Sequence, residues 1–286
     1  MPPRGNPTAR QGRLGAELRK MREAAGATAR EAAALLGAGQ TQISHIEAGR
    51  FGVSEDRLRR LAAFYACDDR RLVDSLVAMA NERGRGWWEE YRGILAPKAL
   101  DLAELEHHAT GLRTMEIAHI PGLLQTEDHV RAAFAYVDPE LPPSELDPRV
   151  EYRMRRQAVI DRAPPLPPLP YDVVIHEAAL HIKVGGTAIA RAQLAHLLTA
   201  SERENVTVRV IPFAAEDFAG AGHSMLFVRG RVPQLDTVQL DAAHGSTFLD
   251  AEPQLKRYRA RLDRVGCSAL DPERSRELIR RIAQEM

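Results

Sequence analysis

Residues 28–50 read TAREAAALLGAGQTQISHIEAGR, and the fold is decided there. Thr28 and Glu31 stand three apart ahead of an alanine-rich run, the pattern of a capping box opening a helix over 29–36. Gly37-Ala38-Gly39 breaks that helix. From Gln40 to Glu47 only Ile43 and Ile46 are large and apolar, and Gly49 closes the segment. Two short helices around a Gly-containing turn make a helix-turn-helix. Burying Ile43 and Ile46 turns Gln40, Thr41, Ser44 and His45 outward on the second helix.

Working outward, Leu14, Leu18 and Met21 recur at i, i+4, i+7, and Gly26 ends that helix. Ser54 caps a fourth helix carrying Leu58, Leu61, Ala62 and Tyr65. Residues 68–84 read as a further helix through Leu72, Leu76 and Met79. Residues 10–66 are thus a DNA-binding bundle, with 67–86 a connecting helix. The outward face of the second helix suits the major groove. Gln pairs with adenine and Thr touches thymine methyls, so Gln40, Thr41, Ser44 and His45 are the expected base contacts. Arg13, Arg30, Gln42 and Arg50, with the arm residues Arg4 and Arg10, are expected at phosphates.

The charge distribution agrees. Residues 1–66 hold eleven Arg and Lys against six Asp and Glu, whereas the whole chain of 286 residues is neutral. A small basic part joined to a larger acidic one points to a polyanion at the first end only. Lysine is nearly absent, four against 35 arginines, which reads as the codon bias of a high-GC genome. There is no apolar run long enough for a bilayer and no secretory leader, so a cytoplasmic, nucleoid-associated protein is expected. The two cysteines, Cys67 and Cys267, cannot frame a disulfide scaffold.

Residues 14–65 resemble the XRE, phage-repressor-like, helix-turn-helix family. The marks are Leu14, Leu18, Arg19, Arg22, Gly26, Thr28, Glu31, Ala33, Gly37, Ile43, Ser44, Ile46, Glu47, Gly49 and Arg50. Gly39 stands where the family often has Ser, which weakens the cap of the recognition helix, and Ala29 where several members have Gln.

The remainder reads as a helical part, 87–163, a Pro-rich linker, 164–170, and an α/β or α+β part, 171–286. Trp87, Trp88 and Tyr91 are either packing at a domain joint or the wall of a ligand pocket. Residues 100–117 are expected to be helical through Leu102, Leu105, Ala109 and Leu112, and Thr126 to cap a helix reaching about Tyr136. An Arg-dense helix over 145–162 precedes Ala163–Pro170, an extended polyproline spacer. Short β-rich runs follow at 173–176, 206–211, 223–229 and 237–240, with helices at 187–203, 253–265 and 273–285. The chain is therefore mainly α with a smaller mixed part of few strands. The stretches RGWWEEYRGIL, HIPGLLQTEDHVRAAF, HLLTASERENVTVRVIPF and AGAGHSMLFV resemble the C-terminal domain, of unknown function, of actinobacterial WhiJ-like regulators. That resemblance implies a transcription regulator, often encoded beside a small partner protein.

No HExxH, GxSxG or phosphate-binding glycine loop is present. His181 and Lys183 are similar to half of a phospholipase-D-like motif, but Ala188 stands where the Asp belongs. Ser224 follows His223 with no acid placed by sequence, and Phe218–Gly222 reads as a Gly-rich loop. Gly185-Gly186-Thr187 is a turn with Thr as cap, or an anion nest. No catalytic residue, metal or cofactor is expected. The partners expected are double-stranded DNA, a second copy of the chain in a homodimer, and a small-molecule effector or a small protein encoded nearby. The alternative is the DNA-binding member of a paired-gene, toxin–antitoxin-like switch. A hydrolase or toxin effector fused to an autoregulator stands third.

Overall fold

Side chains close the helix ends where the sequence supplies them. In the computed structural model, which describes residues 7–82, 86–162, 167–218, 223–241 and 245–286, Thr8 caps α1 (Ala9–Ala24). Thr28 and Glu31 form the capping box of α2 (Ala29–Leu35), with Glu31 Oε2 accepting from the Thr28 amide at 2.7 Å. Gly39 precedes α3 (Gln40–Glu47) and offers no side-chain cap. Ser54 caps α4 (Glu55–Phe64) and Asp69 caps α5 (Arg70–Asn81). Leu18, Ile43, Ile46, Leu58, Leu61 and Leu76 fill one core among these helices.

α1 crosses the end of α3 at Gly15. A methyl group there would meet the carbonyl oxygens of Ile46 and Glu47, so only glycine lets the two backbones touch. The helical period of Leu14, Leu18 and Met21 does not mark Gly15. Its signal was present: a glycine inside a helix costs about 1 kcal/mol against Ala, which marks a packing requirement.

The rest of the chain is built on one mixed sheet of order β3-β2-β1-β4-β5-β6. Its strands are β1 (Gly111–Glu116), β2 (Tyr171–His176), β3 (Val206–Ile211), β4 (Met225–Arg229), β5 (Thr237–Leu240) and β6 (Thr247–Leu249). β1, β2 and β3 run parallel, and β4, β5 and β6 pair antiparallel. α11 (Glu252–Ser268) packs Leu255, Leu262 and Val265 on one face, against Met115, Val174 and Phe227. α10 (Thr187–Ala200) and α12 (Pro272–Glu285) pack Leu194, Leu197, Leu278 and Ile279 on the other, against Leu112, Val173 and Val208.

Several expectations are corrected. α6 (Pro97–His108) ends before residue 109, and 111–116 form the central strand β1, not the end of a helix over 100–117. The cause is burial on both faces. Leu112 and Met115 each enter a different core, so the strand lacks a clean alternation, and Leu112 falls in period with Leu102, Leu105 and Ala109 of the preceding segment. The segment 87–163 is therefore not helical throughout. It carries α7 (Glu127–Val137), α8 (Pro143–Arg156) and the strand that joins β2 to β4. Residues 163–166 of the expected spacer lie outside the described residues. In its second half Leu169 is buried, Pro167, Pro168 and Pro170 are exposed, and the Pro170 carbonyl accepts from the Leu112 amide at 2.8 Å. Gly186, at φ +94°, caps α10, and Thr187 is already helical, so Thr187 is not the cap. α9 (Glu177–His181) and β6 were not anticipated.

Candidate nucleic-acid interface

α3 is seated by Ile43 and Ile46, both buried. Those two positions leave Gln40, Thr41 and Ser44 exposed together on the opposite face. His45 is half-buried, its ring 5.0 Å from that of Phe51. Ser44 Oγ donates back to the Gln40 carbonyl at 3.4 Å, a long contact that leaves the hydroxyl free to rotate outward. Gln42 is half-buried on the flank. Arg30 on α2 and Arg50 after α3 are exposed, and neither side chain makes an ion pair with a described residue. They bracket the exposed face of α3 in sequence and lie within the helix-turn-helix. This arrangement offers neutral hydrogen-bonding groups at the centre and uncommitted guanidinium groups at the edges.

Arg13 is different. Its guanidinium is buried, paired to Glu17 at 3.1 Å and to Asp250 at 2.5 Å, and it donates to the Gln234 and Asp236 carbonyls. The expectation that Arg13 meets phosphate is corrected: it ties α1 to the sheet domain. Burial was invisible to a sequence reading because Gln234, Asp236 and Asp250 lie more than 200 positions away. Arg10 likewise pairs with Glu82 at 3.0 Å. Arg4 lies outside the described residues.

The helix-turn-helix part is thus docked on the rest of the chain. Val232 and Leu235 join its core, Gln234 donates to Asp69 at 2.8 Å, and the Ala9 amide donates to Asp101 at 2.9 Å. Trp88 and Tyr91 are buried with Leu100, Ala103 and Tyr152, and Trp87 stacks edge-on against Trp88 and Tyr91. Trp88 also lines a cleft of about 380 Å³ at the joint; Trp87 and Tyr91 do not.

The structure places Ser224 beside the buried carboxyl of Glu116, with its Oγ accepting from the Ile117 amide at 3.4 Å, and leaves the His181 and Lys183 fragment on the surface. His181 is exposed with Nε2 3.4 Å from Glu177 Oε1, Lys183 is exposed, and Ala188 lies in α10. Of the Gly-rich loop, 219–222 lie outside the described residues. Among the described residues no group of three His, Cys, Asp or Glu is placed to hold a metal ion, and no helix is long and apolar enough to cross a membrane.

Comparison with known families gives two matches. A helix-turn-helix domain family matches residues 13–76, and a domain of unknown function, DUF5753, matches residues 99–281. No curated protein and no solved structure matches the chain.

Proposed function

The chain belongs to the DUF5753 family, and with the helix-turn-helix ahead of that domain as the second premise, we propose that it is a sequence-specific DNA-binding transcription regulator. The helix-turn-helix match supports a DNA-binding regulator. The finer reading is our own. The single observation that carries it is the exposed face of α3, Gln40, Thr41 and Ser44, flanked by half-buried His45. Gln40, Thr41, Ser44 and His45 read base edges in the major groove, and Arg30, Gln42 and Arg50 hold phosphates.

The resemblance to XRE and WhiJ-like regulators fits this reading. A two-fold dimer would place its two recognition helices on half-sites about 34 Å apart, or a multiple of that. The second domain would then serve dimerisation or sensing. Titration of a fluorescent duplex bearing a bound genomic fragment, across a range of salt, tests the proposal. Specific binding is expected to exceed binding to a scrambled duplex by at least about 10³-fold, with a steep negative salt slope. Equal affinity for both duplexes would overturn sequence-specific recognition.

A further inference from the structure

The cleft at the joint is built from both parts of the chain. Its volume of about 380 Å³ is that of a small-molecule pocket. Leu14, Ile46 and Phe51 line it from the DNA-binding part, and Trp88 from the other side. Its charged groups are unevenly matched. Glu82 is engaged by Arg10 at 3.0 Å and faces His108 Nδ1 at 3.3 Å. His108 stays neutral, because burial, with the charge of Arg10, pushes its pKa down to about 3. Glu104 is left over. Thr8 supplies it with one side-chain hydrogen bond, but Glu104 Oε2 is buried and has no partner among the described residues. Burial raises the pKa of this carboxyl; the Thr8 hydrogen bond and the charge of Arg10 oppose the rise, and Asp101 and Glu82 nearby add to it.

We propose that this cleft binds a small organic amine, its ammonium donating to Glu104 and its apolar body lying against Trp88 and Phe51. An ammonium brings three donors and no acceptor, which is what the unpartnered oxygen lacks. An aromatic wall attracts the same cation. An anionic ligand would instead meet the carboxylate of Glu104, since the one arginine of the described lining, Arg10, is already held by Glu82.

Phe51 also touches His45 of α3, ring centre to ring centre 5.0 Å, and Ile46 belongs to α3 itself. An occupant of the cleft therefore bears on the seating of α3, and its affinity and that of DNA are linked in both directions. The site stands by itself; this coupling rests on the DNA-binding function proposed above.

Calorimetry on the full chain near neutral pH tests the site with tryptamine and with tryptophol, its uncharged analogue of the same shape. Tryptamine is expected to saturate the protein with Kd below about 1 mM, a range open to a ligand of that size. Tryptophol, and tryptamine on Glu104→Gln, are expected to bind at least about tenfold more weakly, since each loses the charged hydrogen bond. Glu90→Gln, at a carboxylate that pairs with Arg155 outside the cleft, is expected to leave tryptamine binding unchanged. Melting curves establish that Glu104→Gln is folded; if it is not, the pair of ligands decides. Absence of tryptamine binding, or equal binding of tryptophol, overturns the proposal. Repeating the titration with the duplex bound reads the coupling, and an unchanged tryptamine affinity refutes it. A chain that binds tryptamine and no duplex refutes the DNA-binding function and leaves the amine site standing.

Discussion

Arg22 on α1 and Glu47 at the end of α3 form a two-pronged ion pair, Nε to Oε1 at 2.6 Å and Nη2 to Oε2 at 2.9 Å. The side chains are 14% and 9% exposed, and Arg22 Nη1 also donates to the Ala27 carbonyl at 3.0 Å. The pair ties the last residue of α3 to the first helix. Removing one partner leaves a largely buried charge unmatched. Arg22→Ala is expected to destabilise the DNA-binding bundle by about 2–4 kcal/mol, read by urea denaturation. A loss below about 1 kcal/mol would show that the pair is solvated and does not anchor α3.

Gly15 makes the same joint by a steric route. Gly15→Ala puts a methyl group where the Ile46 and Glu47 carbonyls lie, and neither backbone is able to yield without shifting a helix. A cost of about 3 kcal/mol is expected, with DNA binding lost before overall helicity. Gly12→Ala, one residue type at a position with open space around it, is the control and is expected to be neutral or slightly stabilising.

Glu116, at the carboxyl end of β1, carries a pH dependence. Burial pushes its pKa up to about 7, the Asp241 charge adds to the rise, and a hydrogen bond with Ser224 opposes it. The folded chain therefore keeps a proton there that the unfolded chain, with a pKa near 4.5, has released. Its contribution is fully present below about pH 4.5 and is lost as pH rises to about 7, on the order of 3 kcal/mol. Glu116→Gln is expected to remove that loss and to raise Tm at pH 8 more than at pH 5. Equal shifts at both pH values would show that Glu116 is ionised in the fold.

Base and phosphate contacts are separable by their signatures. Gln40→Ala is expected to cost about 1–3 kcal/mol at one base position and to relax the preference there. Arg50→Ala is expected to weaken every duplex alike and to lower the salt slope by about one. Uniform weakening by Gln40→Ala would place α3 differently in the groove.

The helix-turn-helix was legible because its signals are local. Thr28 and Glu31 cap within one turn, Gly37 and Gly49 take positive φ where helices stop, and Ile43 and Ile46 mark the buried face. β1 was not legible, since a strand buried on both faces loses its alternation, and Leu112 then falls in period with Leu102, Leu105 and Ala109. Of the interface, the exposed residues of α3 followed from which neighbours had to be buried. The role of Arg13 did not, because only the folded chain brings Asp236 and Asp250 beside it. Glu104 was equally silent: nothing local says that a helical glutamate ends with one oxygen buried and unpartnered.

The most direct test of the central claim is selection of genomic fragments by the full chain at about physiological salt, read by sequencing, beside the Gln40/Thr41/His45 triple-alanine variant. Enrichment of a short palindromic site by the parent, lost in a variant that melts at the same temperature, is the result expected of a dimeric regulator reading bases through α3. Identical enrichment by both proteins would contradict that role for α3, and no enrichment by the parent would contradict sequence-specific binding by this chain.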